Sequence, residues 1–191
     1  VLTQTRTLDT IPPRIEVTSL AHNVRQGGVG AVSFSLSEEP EVAGVLVGDE
    51  LFPAFKMDNG RYFRLYVFPY DMDPKMFVPK IKAVDKAGNE ALTSFRYTAI
   101  PRKFRQDKLN ISDNFLESKM PQYYNIITDT RDNLQIYLRV NNDLRRENSV
   151  FLHDLGHKTA PRMLWDKKAF MRLPNAAPKA GFGDQRTYYY Q

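Results

Sequence analysis

Apolar and polar residues alternate with a period of two in several short stretches of the first hundred residues, and clusters of Gly, Pro, Asn and Asp separate them. Ile11-Pro12-Pro13 opens the region. In Arg14-Ile15-Glu16-Val17-Thr18, and again at Val32, Phe34 and Leu36 within residues 29–36, every second side chain falls on one face, which predicts half-buried strands. Gly27-Gly28 separates the two, residues 42–47 follow Pro40, and Gly48-Asp49-Glu50 is a turn before Leu51-Phe52. Asp58-Asn59-Gly60 predicts a tight hairpin between residues 52–57 and 62–68, because Asn and Gly tolerate positive φ. Residues 77–84 and 92–97 complete the set, joined through Asp85-Lys86-Ala87-Gly88-Asn89-Glu90. Strand-length runs at spacings of roughly 8–12 residues predict an all-β sandwich.

Beyond Pro101-Arg102-Lys103-Phe104 the period changes to that of a helix. Ser112-Asp113 caps a short helix that carries Phe115 and Leu116 on its apolar stripe and stops at Pro121. From Thr130 or Asp132 a second stripe runs through Leu134, Tyr137, Leu138, Leu144, Phe151, Leu152 and Leu155 to Gly156. Arg139, Asp143, Arg145, Arg146 and Glu147 take the other side. Asn141-Asn142 and Asn148-Ser149 interrupt the pattern, so two helices with a break near residue 148 are expected. Such a stripe needs a partner surface.

Composition narrows the chemistry. With 191 residues and 42% hydrophobic content the chain can bury a core of ordinary size, as one compact domain plus a smaller appendage. No apolar run approaches the ~20 residues of a membrane helix. Val1-Leu2-Thr3-Gln4-Thr5 carries neither an initiator Met nor a signal sequence, so the start reads as processed or engineered. Zero cysteine excludes disulfides, thiol catalysis and cysteine-ligated zinc without assigning a compartment. A net charge of +5 is compatible with polyanions, but the basic residues are scattered, and pairs such as Arg102-Lys103 and Arg145-Arg146 read as solvated faces. Nucleic acid is therefore not an expected partner.

The candidate sites are few. Phe52, Phe55, Tyr62, Phe63, Tyr66, Phe68 and Tyr70 could form a sugar-binding platform, yet alternation sends about half of them to the core. Asp49, Asp85 and Glu90 lack the spaced oxygen series of a calcium loop. His153-Asp154-Leu155-Gly156-His157 has two histidines four apart, but Asp is short for a general base and Gly156 should end the helix before His157 reaches the same face. His22, in a loop after the first strand, carries no signal. The sequence thus assigns no catalytic, cofactor-binding or metal-ligating residue.

Two resemblances organise the rest. Ala83-Val84-Asp85-Lys86-Ala87-Gly88-Asn89-Glu90 resembles the corner between the last two strands of bacterial immunoglobulin-like domains. Phe182-Gly183-Asp184-Gln185-Arg186 resembles the Phe-Gly-x-x-Arg turn that opens the catalytic domain of lysostaphin-like (LytM-type) zinc endopeptidases, which cut peptidoglycan cross-links. Leu164-Trp165 and Ala169-Phe170-Met171-Arg172-Leu173-Pro174 resemble the strand preceding that turn in envelope-anchored members. The resemblance implies an immunoglobulin-like β-sandwich over residues 1–101, an α-helical connector over 102–163, and the first strand and turn of a truncated peptidase domain over 164–191. The family's His-x-x-x-Asp and His-x-His zinc motifs are absent from the sequence.

It further implies a noncatalytic spacer, regulator or partner-binding region of a bacterial cell-envelope enzyme. Zinc would lie in a missing catalytic domain, which would itself be a partner beside peptidoglycan or envelope proteins. Membrane attachment would run only through a missing N-terminal anchor. The alternative is an independent immunoglobulin-like adhesion or scaffold module. The C-terminal run through Pro174, Pro178, Gly181 and Gly183 to Tyr188-Tyr189-Tyr190 is expected to be partly unpaired or to meet the missing domain.

Overall fold

The alternating runs form strands because each can bury one face while its backbone pairs sideways. The computed structural model describes residues 8–158, 160, 162–166, 168, 169, 171, 173–176 and 180–190. The chain divides into two units, residues 1–103 and 104–191. It is mainly β, with a helical part in the second unit.

In the first unit, β1 (Ile15–Val17), β2 (Asn23–Arg25), β3 (Val29–Leu36), β4 (Val42–Val47) and β5 (Glu50–Pro53) are followed by β6 (Phe55–Lys56), β7 (Tyr62–Val67), β8 (Lys80–Val84), β9 (Glu90–Ser94) and β10 (Thr98–Ile100). One four-stranded antiparallel sheet has the order β1-β3-β7-β6 and the other β5-β4-β8-β9. A single core joins them: Val32, Phe34, Tyr62 and Tyr66 of the first sheet with Val45, Val47 and Ile81 of the second. Phe68 and Phe77, stacked at 4.0 Å between ring centroids, close its edge. The Asp58-Asn59-Gly60 turn falls between β6 and β7, with Gly60 at φ 77°.

Three strands carry little periodic signal in the sequence. β2 and β10 form a short parallel pair, and β11 (Gln106–Ile111) belongs to the second unit. The expected strand over 77–84 begins only at Lys80, since Pro79 has no N–H to give to a ladder. Gln26 serves the loop before it: its buried amide donates to the carbonyls of Tyr70 and Met72 at 2.9 and 3.0 Å and accepts from the Arg102 N–H at 3.2 Å.

His22 is buried rather than idle. Its Nδ1 donates to the Arg96 carbonyl at 2.7 Å, its Nε2 lies 2.7 Å from the Ser19 hydroxyl, and its ring meets Phe95 edge-on at 5.0 Å. It ties the loop between β1 and β2 to the segment joining β9 to β10.

The second unit holds α1 (Asp113–Lys119), a 3-10 turn (Met120–Tyr123), α2 (Asn133–Arg139), α3 (Arg145–Gly156) and β12 (Gln185–Tyr190). Ser112 caps α1 by accepting from the Phe115 N–H, and Asp132 caps α2 by accepting from Leu134 and Gln135. The helix is interrupted at residues 140–144, not near 148: a π turn there sends the Arg145 N–H back to the Val140 carbonyl. The cause is local. The Asn141 side-chain amide donates at 2.8 Å to the Tyr137 carbonyl, the acceptor its own backbone would use in a regular helix. A core of Ile111, Leu116, Met120, Ile127, Ile136, Tyr137 and Val140 holds the helices against β11.

Candidate functional site

β11 and β12 pair in parallel over six positions, Gln106↔Gln185 to Ile111↔Tyr190. What aims β12 is the turn before it. Gly183 sits at φ 79°, and a β-carbon there would lie 2.5 Å from the Phe104 ring, so the position admits only glycine. Asp184 locks the turn, its carboxylate accepting from the Gly181 N–H at 2.7 Å, and the Gln185 N–H then reaches the Arg105 carbonyl. The Phe-Gly-x-x-Arg resemblance therefore falls on a built turn that delivers Arg186 to the second position of β12.

Arg186 lies 4.0 Å from the Asp107 carboxylate on the paired strand. It also lines an open cleft of about 400 Å³ bordered by β11, α1, the 3-10 turn, α2, the π turn, the start of α3 and β12. The floor is aromatic. Tyr137 is buried and receives Phe115 and Tyr188 edge-on at centroid distances of 6.2 and 6.1 Å. Burial pushes the Tyr137 phenol up, and Tyr188 adds to that, so it stays a neutral hydroxyl over the ordinary pH range. Lys119, Arg145 and Arg186 bring cationic side chains to the lining, and no carboxylate lines it among the described residues. A π turn forming one wall is a local irregularity of the kind often found where helices contact ligands.

The other candidates resolve differently. Phe52 and Phe55 are not a free platform: the Arg64 guanidinium lies over both rings, 5.6 and 5.5 Å from their centroids. Burial lowers the Arg64 pKa, consistent with this half-enclosed position. Asp49 and Glu90 do not gather around Asp85. Glu90 pairs instead with Lys82 at 2.7 Å. Asp85 approaches Asp9 and Glu38, the one trio of metal-ligand side chains found among the described residues, with ligand atoms within 4.8 Å of one another. The Asp85 carboxylate already accepts from the Asn89 N–H and side-chain amide, at 2.8 and 2.9 Å, as a turn-forming residue does.

His153 and His157 come closer than the sequence suggests. Gly156 ends α3, but His157 keeps helical angles (φ −78°, ψ −16°), so the two rings meet at 4.6 Å. No third ligand joins them among the described residues. With both ring nitrogens of His22 engaged, the histidines do not form the three-ligand set a catalytic zinc requires.

The segment resembling the strand ahead of the turn forms no strand among its described residues. Trp165 Nε1 donates to the Lys168 carbonyl at 2.7 Å and Asp166 accepts from the Lys168 N–H at 3.0 Å, a local turn in place of ladder bonds. Phe170 and Arg172 of that resemblance, like Val1–Thr5, Pro178 and Gln191, lie outside the described residues. No helix among the described residues is long and apolar enough to cross a membrane. No family model matches the chain, and no curated protein matches it.

Proposed function

We propose that this chain is a noncatalytic region of a bacterial cell-envelope zinc endopeptidase acting on peptidoglycan cross-links, serving as a spacer, regulator or partner-binding module. The reading rests chiefly on the Phe182-to-Arg186 turn, where both the backbone angle and the steric confinement call for glycine at position 183. β12, paired along one side with β11, offers a strand on which a peptidase domain could continue a sheet. The first unit is read as an immunoglobulin-like sandwich. Its two four-stranded sheets around one core, and the Asp85–Asn89 corner bonded through the Asp carboxylate, support that finer description.

The chain's histidines do not suit a hydrolytic zinc, so no catalytic step is assigned to these residues, and zinc belongs to the absent domain. Envelope localisation and a membrane anchor ahead of residue 1 follow from the same reading. The deciding test is the coding sequence after Gln191. A His-x-x-x-Asp motif within a few tens of codons supports the peptidase reading, whereas its absence replaces that reading with the independent scaffold module. Incubating the purified chain with zinc and peptidoglycan is the complementary test: release of soluble fragments would overturn the noncatalytic role.

A further inference from the structure

The cavity beside Tyr137 combines features that a packing defect would not. About 400 Å³ falls within the size range of small-molecule sites and exceeds what an inorganic anion or a few waters need. Its lining is mixed: Ile111, Met120 and Val140 lie beside the Tyr137 ring, and Asn110, Gln122 and Asn141 add neutral polar groups. Its charge has one sign. Lys119 and Arg145 line it and enter no ion pair among the described residues, while Arg186 is shared with Asp107.

We propose that this cavity binds a small organic anion, a carboxylate or phosphoryl group on an aromatic or apolar body, with Lys119 and Arg145 meeting the acid and Tyr137 the body. The physical case is complementarity. Lys119 and Arg145 are exposed, so solvent screens each of them, but two cations on one cleft act together on an anion, and an apolar body gains by covering the Tyr137 ring. A guanidinium and an ammonium together satisfy either planar carboxylate or tetrahedral phosphoryl oxygens. A cationic ligand would be repelled, and a neutral one would leave the charges unanswered.

The π turn gives the site its shape. It projects Asn141 and Arg145 from a helix whose regular continuation would set their spacing differently, and the Asn141–Tyr137 bond maintains it. The proposal concerns the second unit's own residues and stands whether or not the chain belongs to a peptidase.

The test is an NMR titration of the full chain with benzoate, phenyl phosphate, benzamide, benzylamine and inorganic phosphate. Saturable shifts at Tyr137 and Tyr188 with benzoate or phenyl phosphate are expected, with the other three probes weaker by about ten-fold or more. Which of the two anions binds tighter assigns the acid group. Lys119→Gln and Arg145→Gln, at exposed positions, should each weaken the tighter anion by about ten-fold while leaving the thermal melt unchanged. Equal binding of benzamide and benzoate overturns the proposal. So does the absence of saturable shifts with either anion, or an affinity that neither substitution changes.

Discussion

Gly30 and Tyr66 face one another across the β3–β7 ladder, and the tyrosine ring occupies the space a side chain at Gly30 would need: a β-carbon there would lie 2.5 Å from the ring Cζ. Tyr66 is fully buried at the centre of the first unit's core, so its ring cannot swing away without leaving a void. Gly30→Ala should therefore lower the unit's stability by about 1–3 kcal/mol, the usual cost of overpacking. Chemical denaturation measures it, and a midpoint equal to wild type would refute the steric account.

The same tyrosine makes the protein sensitive to alkali. Burial raises the Tyr66 phenol from 10.0 to about 12, with Tyr97 contributing in the same direction. The unfolded chain loses this proton near pH 10 while the folded chain keeps it. Stability is then full below pH 10 and falls as pH rises towards 12, by up to about 3 kcal/mol. The Tyr66 hydroxyl has no protein hydrogen-bond partner among the described residues, so Tyr66→Phe should be near neutral at pH 7 and remove this part of the alkaline loss. Parallel unfolding curves for the two proteins between pH 9 and 12 would contradict it.

His22→Ala should destabilise the first unit by about 2–4 kcal/mol, because it orphans the Arg96 carbonyl and removes the contact with Phe95. Thermal melting reports the change. A loss below about 0.5 kcal/mol, the level of an ordinary surface substitution, would mean that the histidine is incidental.

Asp132→Ala removes the acceptor that caps α2 at Leu134 and Gln135, at 2.9 and 3.2 Å. About 1 kcal/mol should be lost, with faster amide exchange in the first turn of α2. Asp132→Asn keeps an acceptor oxygen and should restore most of it. An alanine variant with unchanged exchange would show that tertiary packing alone fixes the helix start.

Gly183→Ala combines a strained backbone angle with a collision against Phe104. The expected outcome is loss of amide protection along β12 while the first unit's core stays protected. Retained protection at Tyr188 and Tyr189 would remove the structural reason for the motif and weaken the peptidase reading with it.

The elements written plainly in the sequence are those whose signal is local. Period-two alternation marks β1 and residues 32–36 of β3, Asn59-Gly60 marks the hairpin, and the side-chain acceptors at Ser112 and Asp132 mark helix starts. Each depends on neighbours a few positions apart. β2 and β10, three residues each, are too short to display a period, and polar β11 exists because β12 pairs with it. The π turn likewise goes with a side-chain bond, from Asn141 to the Tyr137 carbonyl, that no periodicity displays.

Sequence alone determined the absence of thiol chemistry, the β-rich first half, the helical stretch and the lack of zinc-binding motifs, since composition and periodicity report directly on what side chains can do and which face they bury. Only tertiary structure decided that His22 bridges to Arg96, that Phe52 and Phe55 enclose Arg64, and that Lys119, Arg145 and Arg186 line one cavity. These relations join residues far apart in the chain, and the packing of whole elements, which no local pattern encodes, brings them within reach.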